Sequence, residues 1–212
     1  MIVVLALVWL VMFSSVLGVK RVGVDGATVV SVSQVRSAAA IAPGTPLARL
    51  DTDAVKKKVE SLPAVASAEV SRSWPNGVVV TIHERQPVAV VERGGEKWVV
   101  DITGKPYLLA SKLGDEVTKS LLPLEVAHPS ADDPATRAAV KVIPSIPAAL
   151  RTKVSSVSAT TGADVTLHLE DGRSVIWGDA GQPKEKASMI VPLLEHAGTE
   201  FDISSPQSVV IR

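Results

Sequence analysis

Two runs of alternating side chains around a single breaker constrain this chain more than any other feature. Ala66, Ala68, Val70 and Trp74 alternate with Ser67, Glu69, Ser71 and Ser73, and Val78, Val80 and Ile82 resume the alternation after Pro75-Asn76-Gly77. Successive strand residues point to opposite faces, so a period of two builds an apolar stripe on a half-buried sheet. Asn-Gly is the favoured pair at the centre of a tight hairpin turn. The segment therefore predicts a β-hairpin with its turn at Asn76-Gly77.

The residues before the hairpin supply a strand and two helices. Val19 to Val24 alternates enough for a strand, and Asp25-Gly26 is a turn signal. Ser31 and Gln34 have the spacing of a capping box, which predicts a helix running through Ile41 until Pro43-Gly44 stops it. Asp51 can cap a second helix with Val55, Val59 and Leu62 on one face, ended by Pro63. Lys56, Lys57 and Lys58 fall mostly off that stripe and read as a solvated face. The order β-α-α-β-β predicts a three-stranded sheet with helices on one face, over residues 20–91.

Residues 92–212 read as a second, β-rich block with short helices, making the whole chain α+β. Turns at Arg93-Gly94-Gly95-Glu96 and Thr103-Gly104-Lys105-Pro106 flank a strand at Lys97–Ile102, and Leu121–Val126 is strand-like. Asp133-Pro134 has the N-cap and N1 signature of a helix containing Ala138, Ala139 and Val142, ended by Pro144. Val165, Leu167 and Leu169 alternate up to an Asp171-Gly172 turn, and Val175-Ile176-Trp177 returns. A helix is expected over Lys184–Ala197, kinked at Pro192 and capped by Gly198.

Ile2 to Val19 carries no charge, and eighteen helical residues span about 27 Å, close to the hydrocarbon thickness of a bilayer. An uncleaved transmembrane helix at residues 1–19 is favoured over a signal peptide, because no basic n-region precedes it and Val16-Leu17-Gly18 is a poor cleavage site. Lys20 and Arg21 follow at once, so charge alone would place the later residues on the cytoplasmic side.

Composition narrows the function. Lys+Arg and Asp+Glu both number 22, so the basic excess of a nucleic-acid binder is missing. Cysteine is absent, which removes disulfides and thiolate metal sites. His83, His128, His168 and His196 show no metal-ligand spacing, and no nucleophile elbow or phosphate loop occurs. Asp132-Asp133 reads as a helix cap before it reads as an acid pair. No catalytic residue, cofactor, metal or small-molecule substrate is expected; a hydrolase with a dispersed triad is the outlying alternative. Trp98 and Trp177, inside strands, favour core packing, whereas Trp74 divides evenly between core and binding roles.

The β-prone run Ser208-Val209-Val210-Ile211-Arg212 suggests a sheet edge able to accept a partner's strand, unless it completes the sheet or is covered. Several phrases in order then carry a family resemblance. They are Val22-Gly23-Val24-Asp25-Gly26, Gly44-Thr45-Pro46-Leu47, Leu62-Pro63-Ala64-Val65, Arg72-Ser73-Trp74-Pro75, Glu84-Arg85-Gln86-Pro87, Val100-Asp101-Ile102-Thr103-Gly104, Leu122-Pro123-Leu124 and Phe201-Asp202-Ile203-Ser204-Ser205-Pro206. The chain resembles the bacterial cell-division family FtsQ, also called DivIB, with an actinobacterial cast to its Ala/Val-rich composition.

The resemblance implies a cytoplasmic N-terminus with further residues before Met1, one span, a POTRA domain over residues 20–91 and an FtsQ-type β-domain over 92–212. It implies a non-catalytic divisome scaffold at the septal membrane whose partners are FtsB-like and FtsL-like bitopic proteins and the septal synthase complex, and which helps control septal peptidoglycan synthesis. It also implies strand addition at the C-terminal edge, which here runs from Ser205 to Arg212 with Ser205, Gln207, Ser208, Val209, Val210, Ile211 and Arg212 as contacts, and Asp202 falls in the matching region just before it. A second candidate edge is the first strand, with Val22, Val24 and Trp74. The competing functional class is a POTRA-containing envelope transport or assembly dock, which would require tandem POTRA units or an outer-membrane barrel.

Overall fold

The computed structural model describes Met1 and residues 17–212. The expected span, residues 1–19, thus lies outside the described residues except at its ends. No helix among the described residues is long and apolar enough to cross a membrane. Gly18 and Val19 belong to the folded part: Gly18 bridges Pro46, and Val19, 3% exposed, donates to the Thr45 carbonyl and accepts from Gly44 N–H, both at 2.9 Å. Gly18 and Val19, expected at the end of the span, are therefore paired and packed in the folded part instead.

The chain forms two compact units, Met1–Arg85 and Gln86–Arg212. The first contains β1 (Arg21–Asp25), α1 (Val32–Ala39), a 3-10 turn at Leu47–Arg49, α2 (Thr52–Glu60), β2 (Val65–Ser73) and β3 (Gly77–Glu84). Its sheet has the order β1-β3-β2, with β1 parallel and β2 antiparallel to β3. The capping box forms as expected, Ser31 Oγ accepting from Gln34 N–H and Gln34 Oε1 from Ser31 N–H. The helix nevertheless stops at Ala39, because Ala40 enters the left-handed conformation with φ of 47°. Asp51 caps α2, whose Val55 and Val59 are buried while Lys56, Lys57 and Lys58 stay exposed. Val78, Val80 and Ile82 turn the alternate, buried face of β3 to this core.

The hairpin differs from expectation at its tip. Ser73 pairs with Gly77, so Trp74, Pro75 and Asn76 form a three-residue loop, with a cis bond between Trp74 and Pro75. Gly77 is then the first residue of β3 and not part of the turn. A bulge between Val65 and Ser67 also shifts the phase of β2, leaving Ala66 exposed and Ala68 buried.

The second unit contains β4 (Pro87–Arg93), β5 (Glu96–Asp101), β6 (Pro106–Leu109), α3 (Asp115–Lys119), β7 (Leu122–Glu125), α4 (Pro134–Val142), α5 (Ala148–Arg151), β8 (Val154–Ser158), β9 (Val165–Leu169), β10 (Ser174–Gly178), α6 (Pro183–Leu193), β11 (Glu200–Asp202) and β12 (Val210–Ile211). It begins at Gln86, earlier than the expected break after residue 91, because β4 pairs along its whole length with β5. Among the described residues, all twelve strands but the first three join one mixed sheet, ordered β12-β11-β10-β9-β8-β7-β4-β5-β6. Ala138, Ala139 and Val142 of α4 and Ile190 of α6 cluster in its core with Leu167, Trp177 and Phe201. Burying each of the large apolar side chains contributes about 1.5–3 kcal/mol. Trp177 is fully buried and Trp98 half-buried against this core, in keeping with a packing role.

Candidate partner-binding edge

β11 is positioned from both sides of the strand itself. Ser174 N–H donates to the Thr199 carbonyl at 2.9 Å and Ile203 N–H to that of Ile176 at 3.0 Å, which holds β11 parallel to β10. Phe201 and Ile203 are fully buried on one face, so Asp202 between them must point to the other. The Asp202 carboxylate accepts the Ser204 N–H at 2.9 Å, starting the reversal. Ser208 N–H then donates to the Ser205 carbonyl at 2.9 Å, and Ser205 Oγ lies 3.2 Å from Gln207 Oε1.

The chain returns as β12, antiparallel to β11, with Phe201 opposite Ile211 and Asp202 opposite Val210. Arg212 and Glu200 exchange both backbone hydrogen bonds, at 2.9 and 3.1 Å, and their side chains pair at 2.8 Å. In an antiparallel ladder bonded and non-bonded pairs alternate. Val210 therefore directs its N–H and C=O at β11, and Val209 and Ile211 direct theirs away from the sheet. Their side chains follow the opposite logic: those of Val209 and Ile211 pack on the core, and Val210 is 39% exposed.

Of the sequence-predicted site residues, the structure brings Asp202, Val210 and Arg212 onto one solvent face, with Val209 and Ile211 between them along the edge. Ser205, Gln207 and Ser208 belong to the turn and not to a strand, so the expected edge from Ser205 to Arg212 shortens to Val210–Ile211. Glu200 joins the face unannounced, since a three-residue strand is too short to show alternation. Gly198 was expected to cap α6, but the helix ends at Leu193, within two residues of Pro192. A Cβ at Gly198 would collide with Cγ2 of Ile211, so its lack of a side chain lets β12 close against the sheet.

Two charged side chains brace the elements behind this edge. Arg173 donates to Asp171 and to the Leu194 carbonyl, both at 2.8 Å, and its guanidinium stands 5.6 Å from the Phe201 ring centroid. Lys186 of α6 is fully buried, yet its Nζ reaches Asp179 Oδ1 at 2.9 Å and the Asp179 carbonyl at 3.1 Å. The Lys186 ammonium and then the Gly181 N–H hold the Asp179 carboxyl below its ordinary pKa, outweighing burial.

β1 is also an edge strand, but its geometry is less open. Arg21 N–H donates to the Asn76 carbonyl, so Arg21 faces β3 and Val22 faces outward. Arg36 Nε already donates to the Val22 carbonyl at 2.9 Å. Trp74 sits at the hairpin tip, 53% exposed, near the start of β1 and away from Val24, which pairs with Val80. His168 is half-buried with Nε2 at 2.8 Å from Ser158 Oγ, and His83 is exposed. Among the described residues no group of three His, Cys, Asp or Glu side chains is placed to hold a metal ion.

Residues 17–85 match the family description "POTRA domain, FtsQ-type", and residues 89–205 match "Cell division protein FtsQ/DivIB, C-terminal". Curated relatives named Cell division protein FtsQ include the following three. That of Mycolicibacterium smegmatis is 35% identical over 207 residues, which is 98% of this chain and 61% of the relative. That of Mycobacterium tuberculosis is 32% identical over 94% of this chain and 62% of its own length. That of Streptomyces venezuelae is 34% identical over 93% of this chain and 75% of its own. The chain thus spans about three fifths of the length of the two mycobacterial relatives. The matched C-terminal region stops at residue 205, so β12 rests on the structure and not on that match. With its two units matched in order by the two parts of one family, and relatives of that name similar along nearly all of it, the chain belongs to the FtsQ/DivIB family of cell-division proteins.

Proposed function

We propose that this chain is a non-catalytic scaffold of the division machinery, anchored by its N-terminal apolar segment and working outside the cytoplasm at the septum. It captures FtsB-like and FtsL-like bitopic proteins by adding a partner strand to β12, and so helps control septal peptidoglycan synthesis. The observation that carries this reading is the position of β12 at the end of the sheet order, bonded to β11 alone among the described strands. The backbone groups of Val209 and Ile211 point to the open side, where main-chain pairing gives affinity and alternate side chains give selectivity. Asp202, Val210, Glu200 and Arg212 would meet one face of the added strand.

The register sets the test. Proline removes a ladder donor, so Val209→Pro and Ile211→Pro each delete a bond meant for the partner, whereas Val210→Pro deletes one to β11. Pull-down of the detergent-solubilised chain with its bitopic partners should lose about tenfold with Val209→Pro, from one bond and the pairing around it. Its unfolding midpoint should stay within a few degrees of the parent. Normal capture by both the 209 and 211 proline variants would sink the proposal.

A further inference from the structure

We infer that the tip of the first unit's hairpin, with Trp74 as its anchor, rests in the headgroup zone of the bilayer that holds the chain. This rests on the reading of residues 2–17 as a membrane anchor. The chain leaving that apolar segment is tied at once to two loops. Gly18 bridges Pro46, Val19 pairs with Thr45 and Gly44, and Lys20 N–H donates to the Asn76 carbonyl at 2.8 Å. The fit leaves no slack: a Cβ on Gly18 would lie 2.5 Å from the Gly44 carbonyl oxygen. The hairpin tip is therefore held within a few residues of the point where the apolar sequence ends.

The side chains exposed at that end suit an interface. Trp74 is 53% exposed although it is the largest apolar residue among the described residues of the unit, and Lys20 and Arg21 are exposed as well. Arg21 also reaches Asn76 Oδ1 at 3.4 Å. Tryptophan collects at membrane–water boundaries because its ring is apolar and its indole N–H is polar, and basic side chains extend to anionic headgroups. A solvent-exposed Trp with no role in the core gains from this placement. The opposite end of the unit, at Val29 and Glu84, lies about 25 Å away along the eight residues of β3.

The chain has no cysteine, so single positions can be labelled directly. Ser73→Cys and Val29→Cys, each carrying the fluorophore NBD, would be placed in phosphatidylcholine–phosphatidylglycerol vesicles containing a headgroup spin-labelled lipid. Flotation and carbonate extraction are run on the same samples. The expected result is carbonate-resistant flotation, quenching at residue 73 at least about threefold stronger than at 29, and loss of most of it with Trp74→Gln but not Trp74→Phe. Flotation with equal quenching at 73 and 29 overturns the contact and leaves the anchor standing. Failure to float overturns the anchor reading and the contact with it.

Discussion

Glu84 shows how a single side chain can fix a segment that has no regular structure. Its carboxylate accepts backbone N–H groups of Thr28, Val29 and Val30 at 2.8 to 3.0 Å, organising the loop that leads into α1. Burial pushes the Glu84 carboxyl up, but the N–H groups of Val29, Val30 and Thr28 outweigh it, so its pKa lies below the ordinary glutamate value. A depressed folded value means the stabilisation is complete above the unfolded pKa, near about 4.3, and disappears as pH falls through the folded one. Glu84→Gln should cost about 1 kcal/mol at pH 7 in chemical denaturation, and the difference from the parent should shrink below pH 4. Lys186 presents the inverse problem, a buried cation whose carboxylate partner is 62% exposed. Asp179→Ala should destabilise by about 3 kcal/mol because it strands that charge, and adding Lys186→Met should recover most of the loss. Neither Glu84 nor Lys186 is legible in the sequence, since their partners lie 54 to 56 and seven residues away and no local pattern marks them. The caps Ser31, Asp51 and Asp133 are legible because donor and acceptor lie three residues apart.

At the scale of elements, β-bulges and glycines decide what the side-chain alternation leaves open. β8 has no visible signature: Val154 and Val157 are both buried although they are three residues apart, and a register shift between Val154 and Ser156 reconciles this with a strand. β11 is too short to declare a period. β12 depends on Gly198, whose missing side chain leaves room for Ile211. Gly198→Ala should loosen that strand first, seen as faster amide exchange at Val210 and Arg212, with β9 and β10 unaffected. Partner capture should fall in parallel, because a frayed edge presents no ordered template.

For the whole molecule, equal numbers of acidic and basic residues leave no large net field to steer or hold a partner. Capture through main-chain pairing should thus be only weakly sensitive to ionic strength. Raising NaCl from about 0.1 to 0.5 M should change the dissociation constant less than about threefold, since long-range charge effects are already screened at the lower value. A tenfold or larger rise in the dissociation constant would point to the Glu200 and Arg212 side chains as the principal contacts in place of the backbone.

The sequence by itself determined the β-α-α-β-β order, the hairpin of the first unit, the helix caps and the family, because each depends on residues close in the chain or on an ordered series of short phrases. Only the tertiary structure decided that nine of the described strands form one sheet, that the second unit starts at Gln86, and that Val209 and Ile211 turn their backbones outward. Strand order and outward direction are set by hydrogen bonds between segments distant in sequence, and a one-residue change of register reverses every one of them.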